Sequence, residues 1–247
     1  MSKSTIAVFE KRGEIGIISL SNGKENYLLE PEFVELRDLV EWTFDNTLKG
    51  IIITGAGRNF SAGADKKELL KLAENEKNLS DKIAMGKQIL DYIENLTIPI
   101  VASIQGVCFG GGLEIALACH MRIASPNALF AFPEVNLGLI PGLGGIYRLK
   151  QLVDHREVYN MILAADMINS EYAKNIGLVD FITNSKDPLN EAYDKLVALT
   201  HDRSPELIRN VVSAINNARK LDPIEALKIE TEMFCRLAIK VKDSTQE

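Results

Sequence analysis

The stretch from Ile98 to Leu149 constrains this chain more than any other part of it. It reads I-P-I-V-A-S-I-Q-G-V-C-F-G-G-G-L-E-I-A-L-A and, a few residues later, F-A-F-P-E-V-N-L-G-L-I-P-G-L-G-G. A buried strand over Ile100–Ile104 runs into Gly106 and the triplet Gly110-Gly111-Gly112, and an apolar helix over Leu113–Cys119 then opens beside Glu114. A second acid, Glu134, follows a proline farther on. A carboxylate at the edge of so apolar a segment costs stability unless it is paired or used, so two of them indicate a site. The glycines permit positive φ and close approach of another molecule, and a helix start leaves N–H groups unpaired. Such a turn favours negative charge and can hold a developing oxyanion. Dinucleotide binding fails on spacing: a first glycine at Gly106 requires a second at Cys108, and a first at Gly110 requires a third at Ile115. The P-loop pattern is absent as well.

Composition narrows the function classes. A chain of 247 residues, 46% hydrophobic and 25% charged, can bury one sizeable core or one core with a small appended unit. The formal charge of -6 leaves no basic footprint for nucleic acid. No apolar run reaches bilayer length, and Met-Ser-Lys-Ser-Thr lacks the apolar core of a signal peptide, so a cytoplasmic location is expected. Cys108, Cys119 and Cys235 show no C-x-x-C spacing and read as free thiols. His120, His155 and His201 have neither zinc spacing nor a nucleophile elbow around them, so no metal is expected.

In chain order, Ile6–Glu10 and Glu14–Leu20 read as a β-hairpin about Lys11-Arg12-Gly13. A helix with Leu36, Val40, Trp42 and Phe44 on its periodic positions follows, then the strand Gly50–Thr54. Arg58–Glu68 is a small-residue loop entering a helix near Asp65 or Lys66, and Lys71–Lys82 reads as a mobile surface segment. Ile83–Leu96 is helical and Pro99 closes it. After strands at Met121–Ala124 and up to Phe132 comes the glycine-rich loop Leu137–Gly145, suited to lining a pocket. Helices are expected at Tyr147–Leu152 and Glu157–Leu163, and another is capped by Ser170 and followed by a strand over Leu178–Ile182. Three more helices complete the chain: Pro188–Thr200, Pro205–Arg219 and Pro223–Val241.

Three blocks in this order resemble the crotonase (enoyl-CoA hydratase/isomerase) superfamily: I-I-I-T-G-A-G-R-N-F-S-A-G-A-D-K-K-E-L, I-P-I-V-A-S-I-Q-G-V-C-F-G-G-G-L-E-I-A-L-A-C and F-P-E-V-N-L-G-L-I-P-G-L-G-G. The resemblance implies an α/β fold, a crotonase-like spiral of β-β-α units in two roughly perpendicular sheets, over residues 1–190. It also implies a C-terminal helical region over residues 191–247 used in trimerisation, and hence a homotrimer or a dimer of trimers. The implied activity is reversible addition of water to an enoyl thioester, with no cofactor. The backbone N–H groups of Ala64 and Gly111 match the oxyanion-hole donors, and Glu114 and Glu134 match the two carboxylates of hydratases. Taken singly, Glu114 could be a macrodipole partner and Glu134 an exposed strand end; within these blocks they read as the catalytic pair. Asn26 and Lys67 match positions near the carrier, and Ala62, Asp65, Lys66, Pro133 and Gly142 lie with them about the substrate.

Some positions depart from the family's pattern. Cys119-His120 stands where many relatives have Cys-Asp, and Ile146-Tyr147 where they have Thr-Gln. The loop Ser21–Lys24 lacks the usual Arg-Pro, and the sequence ends at Glu247 before the terminal segment that covers the adenine end of CoA in many hydratases. CoA is the expected carrier of the substrate, and these departures keep acyl carrier protein as the alternative. Alternative activities are a polyketide-type 3-hydroxy-3-methylglutaryl dehydratase and a double-bond isomerase. A crotonase-fold RNA-binding protein is the non-enzyme alternative, against which the acidity argues.

Overall fold

The computed structural model describes residues 6–244; Met1–Thr5, read above as lacking a signal-peptide core, lie outside them, as do residues 245–247. The first half comprises β1 (Ala7–Arg12), β2 (Ile15–Leu20), α1 (Leu36–Thr43), β3 (Gly50–Gly55), α2 (Lys66–Leu72), α3 (Glu76–Glu94), β4 (Ile100–Ile104), β5 (Val107–Phe109) and α4 (Gly111–Ala118). The chain continues through β6 (Met121–Ala124), β7 (Leu129–Ala131), a 3-10 turn at Pro133–Leu137, α5 (Gly145–Leu149), α6 (His155–Ile162), β8 (Ile168–Asn169) and α7 (Ser170–Asn175). Last come β9 (Phe181–Ile182), α8 (Leu189–Thr200), α9 (Pro205–Lys220) and α10 (Pro223–Ser244).

Two sheets result, in the order β1-β2-β3-β4-β6-β9 and β5-β7-β8. The expected hairpin pairs β1 with β2 antiparallel, and every later pairing in the larger sheet is parallel. Parallel strands joined by helices are covered on both faces, which explains why β3 is apolar without alternation. Ile51 and Ile53 enter the main core with Ile100, Ala102 and Leu113, whereas Ile52 points to the other face with Ile15, Val101 and Ile123. Ala192 and Leu196 of α8 close that second face. At Gly50 a methyl group would lie 2.8 Å from Leu196 Cδ2, so the glycine lets α8 approach the sheet.

Several expectations are corrected. Lys71–Lys82 is no loose segment: α2 ends at Leu72, and α3 begins at Glu76 behind Asn75, whose side chain accepts from the Asn78 N–H. The charged residues there are the solvent face of a helix, which hides the apolar period. Ser170 does not cap α7; Asn169 does, through the Tyr172 N–H, while the buried Ser170 Oγ donates to the Ser125 and Ala128 carbonyls. The strand over Leu178–Ile182 shrinks to β9, because Leu178 and Val179 turn back to the Ala173 carbonyl. Helix α4 starts at Gly111, two residues earlier than its apolar run suggests, and that shift puts Gly111 at a helix N-terminus.

Candidate active site

The loop before α2 is sewn between two strand-like edges. Ser61 pairs with Cys108 of β5, donating to the Val107 carbonyl and accepting from the Phe109 N–H. Three residues on, Leu28 bridges Ala64: the Leu28 N–H donates to Gly63 O, and Leu28 O accepts from the Asp65 N–H. Those bonds straddle Ala64, so its own N–H turns to the opposite side. Gly63, at φ +85°, makes the approach possible, since a side chain there would collide with the Phe109 carbonyl and crowd the Gly111 nitrogen. Gly111 opens α4, where a first-turn N–H has no helical acceptor. Two backbone donors from distant segments therefore converge. Asn26 is fully buried, at φ +48°, and donates from Nδ2 to the Ala56 and Asn59 carbonyls while Oδ1 accepts from the Asn22 N–H. Its side chain is a strut under this loop.

Glu114, in the first turn of α4, is 2% exposed. Its Oε1 accepts two hydrogen bonds of 2.7 Å, from the N–H groups of Leu143 and Gly145. Burial pushes its carboxyl up to about 7, the Gly145 N–H opposing this and the neighbouring Glu134 charge adding to it. Gly145 is small because a methyl there would meet the Phe132 ring and Glu114 Cγ. Glu134 sits in the 3-10 turn, and burial raises its pKa as well. Its Oε2 is buried with no hydrogen-bond partner among the described residues. Its Oε1 lies where a Cβ on Gly110 would be, only 2.7 Å from that position, and Gly110 has φ +50°. The middle of the glycine triplet thus stands at a helix N-terminus, and its first member leaves room for an acid.

Both carboxylates line one cavity of about 200 Å³, together with Ala64, Asp65, Gly111 and Gly142. The remaining wall is mainly aliphatic, with Leu28, Leu69, Leu79, Ile83, Ile140 and Leu143 among its members. Asp65 spends its carboxylate capping α2, accepting from the Lys67 and Glu68 N–H groups. Ala62, Lys66, Lys67, Pro133 and Asn26 are not part of the cavity wall, although Lys66 and Lys67 stand exposed on the first turn of α2 beside it. Sequence reasoning passed over the Leu143 and Gly145 N–H groups; the glycine-rich loop was visible, but nothing in it marks which amides meet an acid about thirty residues upstream.

Residues 10–247 match the enoyl-CoA hydratase/isomerase family. A probable enoyl-CoA hydratase of Bacillus subtilis is 34% identical over 221 residues, 89% of this chain and 85% of that protein. The chain belongs to the enoyl-CoA hydratase/isomerase family. A short-chain-enoyl-CoA hydratase of Clostridium acetobutylicum is 33% identical over 92% of this chain and 87% of its own length. Among solved structures, Pseudomonas aeruginosa DspI superposes with a TM-score of 0.86 at 30% identity, covering 96% of this chain and 97% of the other. The family's fold, a mixed α/β body with two sheets and a helical C-terminal region, is the one described above. Departures from the usual family motif at Ile146-Tyr147 fall away from the cavity: Tyr147 is exposed and faces a separate polar groove with Gln151 and Lys220.

Proposed function

We propose that this enzyme adds water reversibly to the double bond of a neutral, aliphatic 2-enoyl thioester. What carries the reading is two carboxylates, each with its pKa raised by burial, meeting in one aliphatic cavity beside two free-facing backbone donors. The thioester oxygen binds the Ala64 and Gly111 N–H groups and takes up enolate charge there. Glu114, aimed by two N–H groups and poised near neutral pH, removes a proton from water as the oxygen bonds to C3. Glu134, whose carboxyl burial shifts toward the protonated form, delivers a proton to C2, and the enolate collapses to the 3-hydroxyacyl thioester. One proton is taken up and one given, so the pair need only exchange it to return to its starting state. An isomerase moves a proton between carbons and often manages with a single acid, so the second carboxylate supports hydration.

The charge of the wall speaks to the acyl group. Glu30, Asp65, Glu114 and Glu134 line the cavity, and no cationic side chain does so among the described residues. Lys82, nearby in sequence to the wall residue Ile83, is engaged by Glu30 and Glu32. A 3-hydroxy-3-methylglutaryl group would bring its free carboxylate into this acidic surrounding, unpaired. CoA is the carrier favoured here, with Lys66 and Lys67 placed to meet its phosphates. A homotrimer or pair of trimers is part of the same reading, supported by the exposed Ile224, Leu227, Phe234 and Ile239 on α10.

The test is loss of enoyl absorbance with crotonyl, octenoyl and 3-methylglutaconyl thioesters, each on CoA and on acyl carrier protein. Turnover of the first two on CoA is expected. Preference for the 3-methylglutaconyl group on carrier protein would replace this reading with the polyketide-type dehydratase, and double-bond migration without hydration would replace it with an isomerase.

A further inference from the structure

The Arg148 side chain, outside the cavity, is tied to it through one turn. It is buried and uses all three of its nitrogens: Nη1 donates to the Leu143 carbonyl at 2.9 Å, Nη2 to Asp91 Oδ1 at 2.7 Å and Nε to Glu94 Oε2 at 2.9 Å. Asp91 and Glu94 both belong to α3, the longest helix before the site. Leu143 is therefore gripped at both ends, its C=O by Arg148 and its N–H by Glu114. The turn wraps closely about the guanidinium, since a Cβ on Gly144 would lie 2.7 Å from Nη1. We propose that Arg148 is a positioning residue for Glu114: clamped to α3 by Asp91 and Glu94, its guanidinium fixes the Leu143–Gly145 turn whose two N–H groups aim the carboxylate. This catalytic consequence rests on the hydratase reading.

The need for such an anchor follows from the sequence of the turn. Gly138, Gly142, Gly144 and Gly145 leave this segment many backbone states, with Gly138 and Gly144 at positive φ. Glycine loses more conformational freedom on ordering than any other residue, so a turn this rich in it will not hold two amides on one oxygen unaided. Arginine suits the task because its planar fork holds three acceptors in fixed directions; lysine carries the charge on a flexible point. The charged groups around the relay are Asp91 and Glu94 of α3, Arg219 of α9 at 4.0 Å from Glu94, and Glu134 across the cavity. The His120 ring, against the Glu94 carbonyl, is held neutral by burial, which brings its pKa down to about 4.

The decisive variant is the pair Glu94→Gln with Arg148→Met, which removes both buried charges together and so avoids leaving one unpaired. Three quantities are read: kcat and KM with crotonyl-CoA, folding by circular dichroism, and the Glu114 carboxyl titration by infrared difference spectroscopy with Glu114→Gln as the reference. The folded double variant is expected to lose about 10- to 100-fold in kcat with KM changed less than about threefold. Its Glu114 titration should move to higher pH through the lost N–H bonds and the lost guanidinium charge alike, and Arg148→Lys, which keeps the charge, should still shift it upward if the N–H bonds are loosened. Arg148→Lys should stay closer to the double variant than to the wild type. A folded double variant with the wild-type kcat and an unmoved Glu114 titration would make Arg148 merely structural and overturn the proposal. Should the double variant fail to fold, Asp91→Asn decides: Asp91 is 66% exposed, and its loss should cost kcat about two- to fivefold with the same direction of titration shift. An Asp91→Asn protein indistinguishable from the wild type in both respects overturns the proposal equally. The infrared arm needs no substrate, so a wild type that hydrates none of the thioesters sinks the hydratase reading while the positioning of Glu114 is still decided.

Discussion

Two buried glutamates one helix apart show how the same side chain is put to opposite uses. Glu94, at the end of α3 and 8% exposed, has the Arg148 guanidinium at 2.9 Å and a second arginine, Arg219, at 4.0 Å. Glu114, at the start of α4 and 2% exposed, receives two backbone N–H groups and faces another acid instead. Burial is similar; the partner differs. A guanidinium offsets the desolvation of a carboxylate and locks it as an anchor. Amide dipoles orient a carboxylate without neutralising it, so its proton remains available near neutral pH.

Exchange of each acid for glutamine should separate the two uses. The largest effect is expected on turnover: Glu114→Gln and Glu134→Gln should each lose roughly 10²- to 10⁴-fold in kcat while still binding an acyl thioester. The double variant should be little worse than the poorer single one, because the pair acts as a unit. Full hydration activity in Glu114→Gln, measured by enoyl absorbance, would end the two-carboxylate scheme. Glu94→Gln should act chiefly on the fold, with only a smaller loss of kcat from the loosened Arg148 clamp. It takes one of two carboxylates from the buried guanidinium, which keeps Asp91 at 2.7 Å, so denaturant unfolding should report a loss of about 1.5–3 kcal/mol.

The stability of Glu114→Gln should run the other way. With a folded pKa near 7 against an ordinary value of 4.5, the folded wild type holds the Glu114 proton more tightly than the unfolded chain does. The wild type is therefore expected to lose stability as pH rises through that interval and to level off above it, a term of about 3 kcal/mol that glutamine lacks. Unfolding of both proteins at pH 5 and pH 8 checks this, and a difference independent of pH would return Glu114 to an ordinary carboxyl. The smallest effect is expected at the surface. Lys67→Ala should raise KM for CoA thioesters by no more than about tenfold and leave kcat nearly intact; unchanged KM together with faster turnover on carrier protein would move the carrier assignment.

How much of this was legible depended on range. The hairpin, β3 and the strand-glycine-helix unit about Gly111 declare themselves through local pattern and turn chemistry, and the family blocks place Ala64 beside Glu114 and Glu134. Lys71–Lys82 shows no readable apolar period because α3 begins with a turn whose charged residues face solvent. Ser170 looked like a cap because it precedes a helix, although a neighbouring asparagine can cap as well and a buried hydroxyl found carbonyls instead. The bonds that aim Glu114 join positions 29 and 31 residues apart, and those of Arg148 reach 54 and 57 residues back. No periodicity encodes contacts at that distance; they appear only when α3, α4 and the glycine-rich turn are packed together.

The seat of α8 on the second face of the larger sheet has a consequence for biosynthesis. While the chain emerges from the ribosome, β2, β3, β4 and β6 are complete long before Leu189–Thr200 has been made. Until then Ile15, Ile52, Val101 and Ile123 form an open apolar stripe awaiting Ala192 and Leu196. A nascent chain stalled at that stage is the form in which chaperone capture or aggregation should concentrate, and a fragment ending at residue 190 would keep the whole cavity wall yet carry that stripe permanently bare.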